Sequence, residues 1–203
     1  MRMRVPFCVA AITLVFAAAS SAQDFGVLES AETINRGNVK LGVFPLFVFP
    51  DGGDTDFRLP ISIGVGLSNS FDIEGRAAFS DDVTFVGGDG EYWFLKNAPL
   101  DLSFRGGLHW GFVDGDIGDT FGADVSLFGS APIARRLELI GALDLAFNSM
   151  DIGADRDAFT TVHLVPGIEV AINDDLDFVA EFGLGVTSSS SHYAAFGLAF
   201  YFR

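Results

Sequence analysis

Several groups of residues are of a type and spacing that could do chemistry. The run Asp114-Gly115-Asp116-Ile117-Gly118-Asp119 spaces carboxylates with glycines, a texture that lets oxygens converge on a hard cation such as Ca²⁺. It lacks the span and the closing Glu of an EF-hand, so a solvated acidic turn is the first reading, with Asp114, Asp116 and Asp119 as candidate metal ligands. His109, just upstream, is within sequence reach of Asp114 and Asp116, and a base beside a carboxylate is the minimum for general acid–base work. Ser191-His192 is a second such neighbourhood. No nucleophile signature accompanies either, so the histidines read as interfacial side chains, and neither an enzyme nor a cofactor is expected. The largest charged set sits between apolar neighbours at every second position. It comprises the bases Lys40, Arg58, Arg76 and Arg105 and the acids Asp72, Glu74, Asp101, Asp124, Glu138, Asp144, Glu169, Asp177 and Glu181, with His109 and His163 on the same face. Enclosed together, such groups must be paired or solvated, because isolated burial of a charge is very costly.

The chain that positions these residues has 203 positions, which suits a single domain. Hydrophobic residues make up 49% of it and mean hydropathy is +0.38, yet 27 acids face 12 bases for a net charge of −15. That much Phe and Gly excludes a disordered chain, and the acidity excludes a basic nucleic-acid face. One Cys excludes a disulfide framework and a Cys-based zinc site. Arg2 and Arg4, the apolar run Val9 to Ala19 and the small residues Ser20-Ser21-Ala22 predict a secretory signal peptide over residues 1–22. Its removal would take Cys8 with it and change the formal charge to −17. No later apolar run approaches the 18 or so residues of a spanning helix.

Strand alternation accounts for the hydropathy instead. Leu100, Leu102, Phe104, Gly106, Leu108, Trp110 and Phe112 oppose Asp101, Ser103, Arg105, Gly107, His109 and Gly111, a period of two. The same pattern recurs around Phe57–Leu67, Leu137–Phe147, Leu176–Val186 and Phe196–Phe202. Four short connections (Ser68 to Ser70, Lys96 to Pro99, Ala131 to Arg136, Asn173 to Asp175) are each followed by an apolar-acid-apolar start. Between them lie five acidic or small-residue stretches, Asp51 to Asp56, Ser80 to Glu91, Asp114 to Asp119, Asp151 to Asp157 and Thr187 to Ser191. Short turns alternating with longer polar loops predict ten strands, with eight or twelve as fallbacks, and put both chain ends on the short-turn side. Between Ser80 and Leu95 the parity is ambiguous, so a bulge or extra hairpin is expected there, and Pro45 and Pro166 again suggest bulges. Gln23 to Gly37 shows no strand pattern and reads as a lead-in on the short-turn side.

These features, with the closing run Phe196-Gly197-Leu198-Ala199-Phe200-Tyr201-Phe202, resemble a small Gram-negative outer-membrane β-barrel protein. The resemblance implies an all-β, closed antiparallel up-and-down transmembrane barrel over residues 38–203, in contact with outer-membrane lipid. It also implies a periplasmic lead-in over 23–37 and recognition of the closing aromatics by the barrel assembly machinery. Physics points the same way, since strands in hydrocarbon must close on themselves to satisfy their backbones. The large apolar face would meet lipid and the charged face a narrow lumen. That lumen is either a salt-bridged plug, and so structural, or a cation-preferring passive conduit, by the logic of acidic rings in cation channels. The competing class is a surface-binding or adhesion protein acting through the acidic loops, where divalent cations could also collect. A rim-located enzyme ranks third.

Overall fold

A computed structural model describes residues 25–27, 29–50, 52–96, 99–113, 118–152 and 155–203, with backbone alone at 151, 152, 155 and 156. Residues 1–22, expected from the sequence to be a signal peptide, and the loop residues Asp114 and Asp116 lie outside the described residues. The chain forms β1 (Val39–Val43), β2 (Leu46–Phe49), β3 (Asp56–Ser68), β4 (Phe71–Phe79), β5 (Val83–Leu95) and β6 (Asp101–Val113). There follow β7 (Thr120–Ala134), β8 (Leu137–Ile152), β9 (Asp155–Asn173), β10 (Leu176–Gly185) and β11 (His192–Phe202). All pair antiparallel with their sequence neighbours from β2 to β11.

The sheet closes because β1 and β2 each pair with both β3 and β11. They are therefore one stave broken at Phe44-Pro45, and eleven strands make a ten-stave barrel without a free edge. The break has a backbone cause: Pro45 has no N–H to give a ladder. The ladder bridges the gap through Phe44 N–H to the Pro60 carbonyl at 2.9 Å and Phe196 N–H to the Pro45 carbonyl at 3.2 Å. Pro166 is accommodated differently. It stays within β9 opposite Gly141, while the β9–β10 ladder resumes on either side at Gly167–Glu181 and Leu184–Leu164 with unchanged register.

Of the bulge or hairpin expected in 80–95, no hairpin interrupts β5, which runs in register against β4 to Tyr92 and against β6 to Trp93. The irregularity falls at its end, where the β6 register shifts between Trp93 and Leu95. Phe85 simply turns inward, 5% exposed, while Tyr92 and Phe94 face outward. The acidic stretches at 80–91 and 151–157 are mostly strand as well. β5 begins at Val83, and β8 and β9 pair out to Ile152–Asp155. Once one strand edge is available, an acidic or Gly-rich sequence can still extend the ladder, because the hydrogen bonds are made by backbone groups.

The apolar faces form the outer belt. Phe57, Ile63, Leu67, Leu108, Phe112, Leu139, Phe147 and Phe196 are all exposed on it. Ile63, in the middle of β3, is 60% exposed. Replacing it with arginine would set a charge against hydrocarbon at a cost of roughly 2–4 kcal/mol. Ile63→Arg is expected to lower the urea midpoint for folding into phospholipid vesicles accordingly. An unchanged midpoint in vesicles would contradict a lipid-facing belt.

Candidate functional site

The interior is occupied by the chain's own N-terminal segment. Phe25 lies near the loop ends of the strands, its ring 6.3 Å from those of Phe85 and His109 in edge-on contact. From there the segment runs down the lumen to the turn side. It docks beside β3 through Gly37 N–H to the Gly66 carbonyl at 2.9 Å, Gly66 N–H to the Asn38 carbonyl at 3.1 Å and a parallel bridge between Arg36 and Gly66. Gly37, with φ +83°, lets the chain reverse there and enter β1. The sequence places 23–37 in the periplasm; the described residues from Phe25 to Ile34 lie inside the barrel, with Val27, Ala31 and Ile34 buried.

Two unlike walls hold the segment. One is apolar: Leu46, Val48, Phe128, Ile140, Val165, Val179 and Tyr193 pack with Val27 and Ala31 into a single buried cluster. The inward faces are thus not uniformly small and polar, since a segment bearing Val27 and Ala31 needs an apolar seat to be stable there. The other wall is charged. Glu29, 11% exposed at its side chain, binds Lys40 of β1 through Oε1. Its Oε2 accepts from Arg76 Nη2 of β4 at 3.0 Å and from Arg105 Nη1 of β6 at 2.8 Å. Arg105 also donates to the Val27 carbonyl at 3.2 Å and stacks 4.8 Å over the Phe128 ring. Two further backbone donors of the segment reach wall carboxylates, Val27 N–H to Glu181 at 2.7 Å and Ile34 N–H to Asp72 at 2.6 Å.

The remaining inward charges extend this network. Glu74 pairs with Lys40 at 2.6 Å and Arg76 at 3.1 Å, and Asp89 pairs with Arg76 at 2.8 Å. Arg58 binds Asp56 at 2.7 Å and lies 5.1 Å over Phe85. Asp144 accepts from the Ser126 hydroxyl at 2.6 Å, and Glu181 also accepts from Tyr193 at 2.9 Å. Asp101 is buried, and Asp124 contacts His109. Glu138, Glu169 and Asp177 are partly exposed toward the turn side, where Glu138 stands directly opposite Glu169. Glu32 of the segment joins them. Desolvation, then the carboxylates of Glu138, Asp101 and Asp177, push its carboxyl above the ordinary range.

Three inward carboxylates are ones that the sequence assigns elsewhere. Asp89 and Glu91 read as loop acids because Gly87 to Gly90 interrupts the apolar alternation; both lie on β5 with side chains inward. Glu29 lacks any strand pattern. Its one sequence signal is the company of Val27, Ala31 and Ile34, three apolar residues that a solvated lead-in would have no reason to carry.

The histidine neighbourhoods also differ from the expected ones. His109 meets Asp124 through Nδ1 at 3.2 Å and Asn148 through Nε2 at 2.7 Å. Asp124 is the acid across the β6–β7 ladder, whereas Asp114 and Asp116 lie outside the described residues. His192 is exposed and accepts from Gly185 N–H at 3.1 Å, and the Ser191 carbonyl accepts from His163 Nε2 at 2.9 Å. Among the described residues no three acids, histidines or cysteines are grouped as metal ligands.

A closed antiparallel barrel with an apolar belt outside and a charged, filled interior defines the architecture as a transmembrane barrel of the outer-membrane kind. The chain belongs to the outer membrane protein β-barrel domain family, which matches residues 7–202, and the outer membrane is accordingly its location. An outer-membrane channel of Pseudomonas putida F1 is similar in structure, with TM-score 0.59 at 8% identity over 85% of this chain and 98% of that one. The translocator domain of the autotransporter NalP from Neisseria meningitidis is similar with TM-score 0.55 at 11% identity, over 96% of both chains. At these identities the likeness is one of fold. No curated protein matches in sequence.

Proposed function

We propose that the protein is a narrow passive conduit of the outer membrane that its own N-terminal segment holds shut. The observation that carries this reading is the nature of the obstruction. What fills the lumen is a segment whose described pairing to the barrel is one isolated bridge, whereas the ladders closing the wall involve β1, β2, β3 and β11 and none of the described residues between 25 and 35. A wall that closes without its filling retains its shape when the filling leaves. The wall then presents more acids than bases, which favours cations over anions. In this reading residues 1–22 are a cleaved signal peptide, and the assembly machinery engages the closing aromatics.

Planar-bilayer recording tests the proposal. The full chain is expected to be silent and the chain lacking residues 25–35 to give discrete steps with cation preference. A shortened chain that keeps its barrel, by circular dichroism and heat-modifiable migration, yet stays silent would leave the barrel a structural element only.

A further inference from the structure

We propose that Lys40, Arg76 and Arg105 form a carboxylate-binding site in the lumen, that Glu29 occupies it as an internal ligand, and that a small carboxylate takes the same place when Glu29 is absent. Three bases from three staves, β1, β4 and β6, converge on one carboxylate. The two guanidinium groups share Oε2 while the ammonium takes Oε1, so both oxygens are engaged. Lys40 and Arg105 are 5% and 3% exposed, which makes the site part of the wall and not a chance surface contact.

The partners of the three bases show why the site asks for an anion. Lys40 keeps Glu74 without the segment, and Arg76 keeps Glu74 and Asp89. Both hydrogen bonds described for Arg105 are accepted by the segment, at Glu29 and at the Val27 carbonyl, and its buried Nε has no hydrogen-bond partner. Withdrawal of the segment leaves a fixed guanidinium facing a water-filled lumen, with a second guanidinium and an ammonium beside it. A planar two-oxygen anion matches that fork better than a spherical one, because guanidinium N–H groups donate in a plane. The ligand class is therefore a small organic carboxylate. The inference rests on the segment's position in the lumen and needs no conductance.

Chemical rescue tests it in the full chain. Glu29→Ala removes a CH₂–COO⁻ unit, which acetate nearly reproduces. Acetate is expected to raise the unfolding midpoint of Glu29→Ala saturably, by roughly 2–4 °C beyond chloride at equal ionic strength, and to leave the wild type unmoved. The double variant Glu29→Ala/Arg105→Met should lose the response. If Glu29→Ala does not survive purification, refolding from urea gives the same reading: recovery in acetate but not chloride supports the site, and recovery in neither overturns it. An acetate response no larger than that to chloride, matched by phosphate, or retained in the double variant also overturns it. A saturable acetate response alongside a silent 25–35 deletion keeps this site and removes the conduit; steps without an acetate response do the reverse.

Discussion

Glu29→Gln is expected to destabilise the folded barrel by about 3–5 kcal/mol, the range seen when one partner of a buried ion pair is removed and the other charge stays. The amide matches the carboxylate in shape, so packing against the apolar wall is unchanged and the loss is electrostatic. It falls unequally on the three bases. Lys40 retains Glu74 at 2.6 Å and Arg76 retains Asp89 at 2.8 Å, whereas Arg105 loses its described ion pair. Combining Glu29→Gln with Arg105→Met should therefore recover part of the loss, with a coupling above about 1 kcal/mol in the double-mutant cycle. Equilibrium urea unfolding of the detergent-solubilised protein measures both. A loss below about 1 kcal/mol would mean that water in the lumen already screens the cluster and that Glu29 is no latch.

Gly66→Val should release the segment without altering any lumen charge. Gly66 faces inward on β3, and a Cβ there would lie 2.6 Å from the Asn35 carbonyl carbon. That neighbour is backbone, so the new side chain forces out the return of the segment at Arg36-Gly37 instead of shifting a flexible tip. Overpacking of this kind costs roughly 1–3 kcal/mol. Two readouts should move together: protease cleavage between Phe25 and Arg36 appears, and a silent barrel begins to show conductance steps. The wall ladders are expected to hold, because β3 stays in register with β4 from Leu59 through Val65 and the ladder already tolerates a register shift just beyond Gly66, before Ser68. Cleavage without steps would separate the segment's attachment from the closure of the lumen and count against the conduit.

Much of the fold is legible from the spacing of Leu, Phe and Ile. Side chains alternate across a strand by covalent geometry, so the face on which Arg58, Glu74 or Asp144 falls follows from counting. Connections rich in Asn, Asp and Pro mark where strands reverse, and their number gives ten staves. Counting loses its power where the apolar marker lapses. Gly87 to Gly90 hid the fact that Asp89 and Glu91 continue β5, and the inward aromatic Phe85 looked like a break in parity when it is a cover for Phe25.

The candidate site was legible only by half. Parity puts four bases on the inward face but says nothing of which staves stand close enough to share a ligand, since the register between β1, β4 and β6 is set by the closure of the whole sheet. It pairs His109 with acids near in sequence, whereas the ladder brings Asp124 to it. By itself, then, the sequence determined an all-β membrane barrel, its ten staves and the side on which the charges within clearly alternating strands lie, all consequences of local alternation. Only the tertiary structure decided that Lys40, Arg76 and Arg105 meet on one carboxylate and that the carboxylate is Glu29. That outcome depends on burying Val27 and Ala31 against a distant apolar wall, a free-energy gain that no local pattern records.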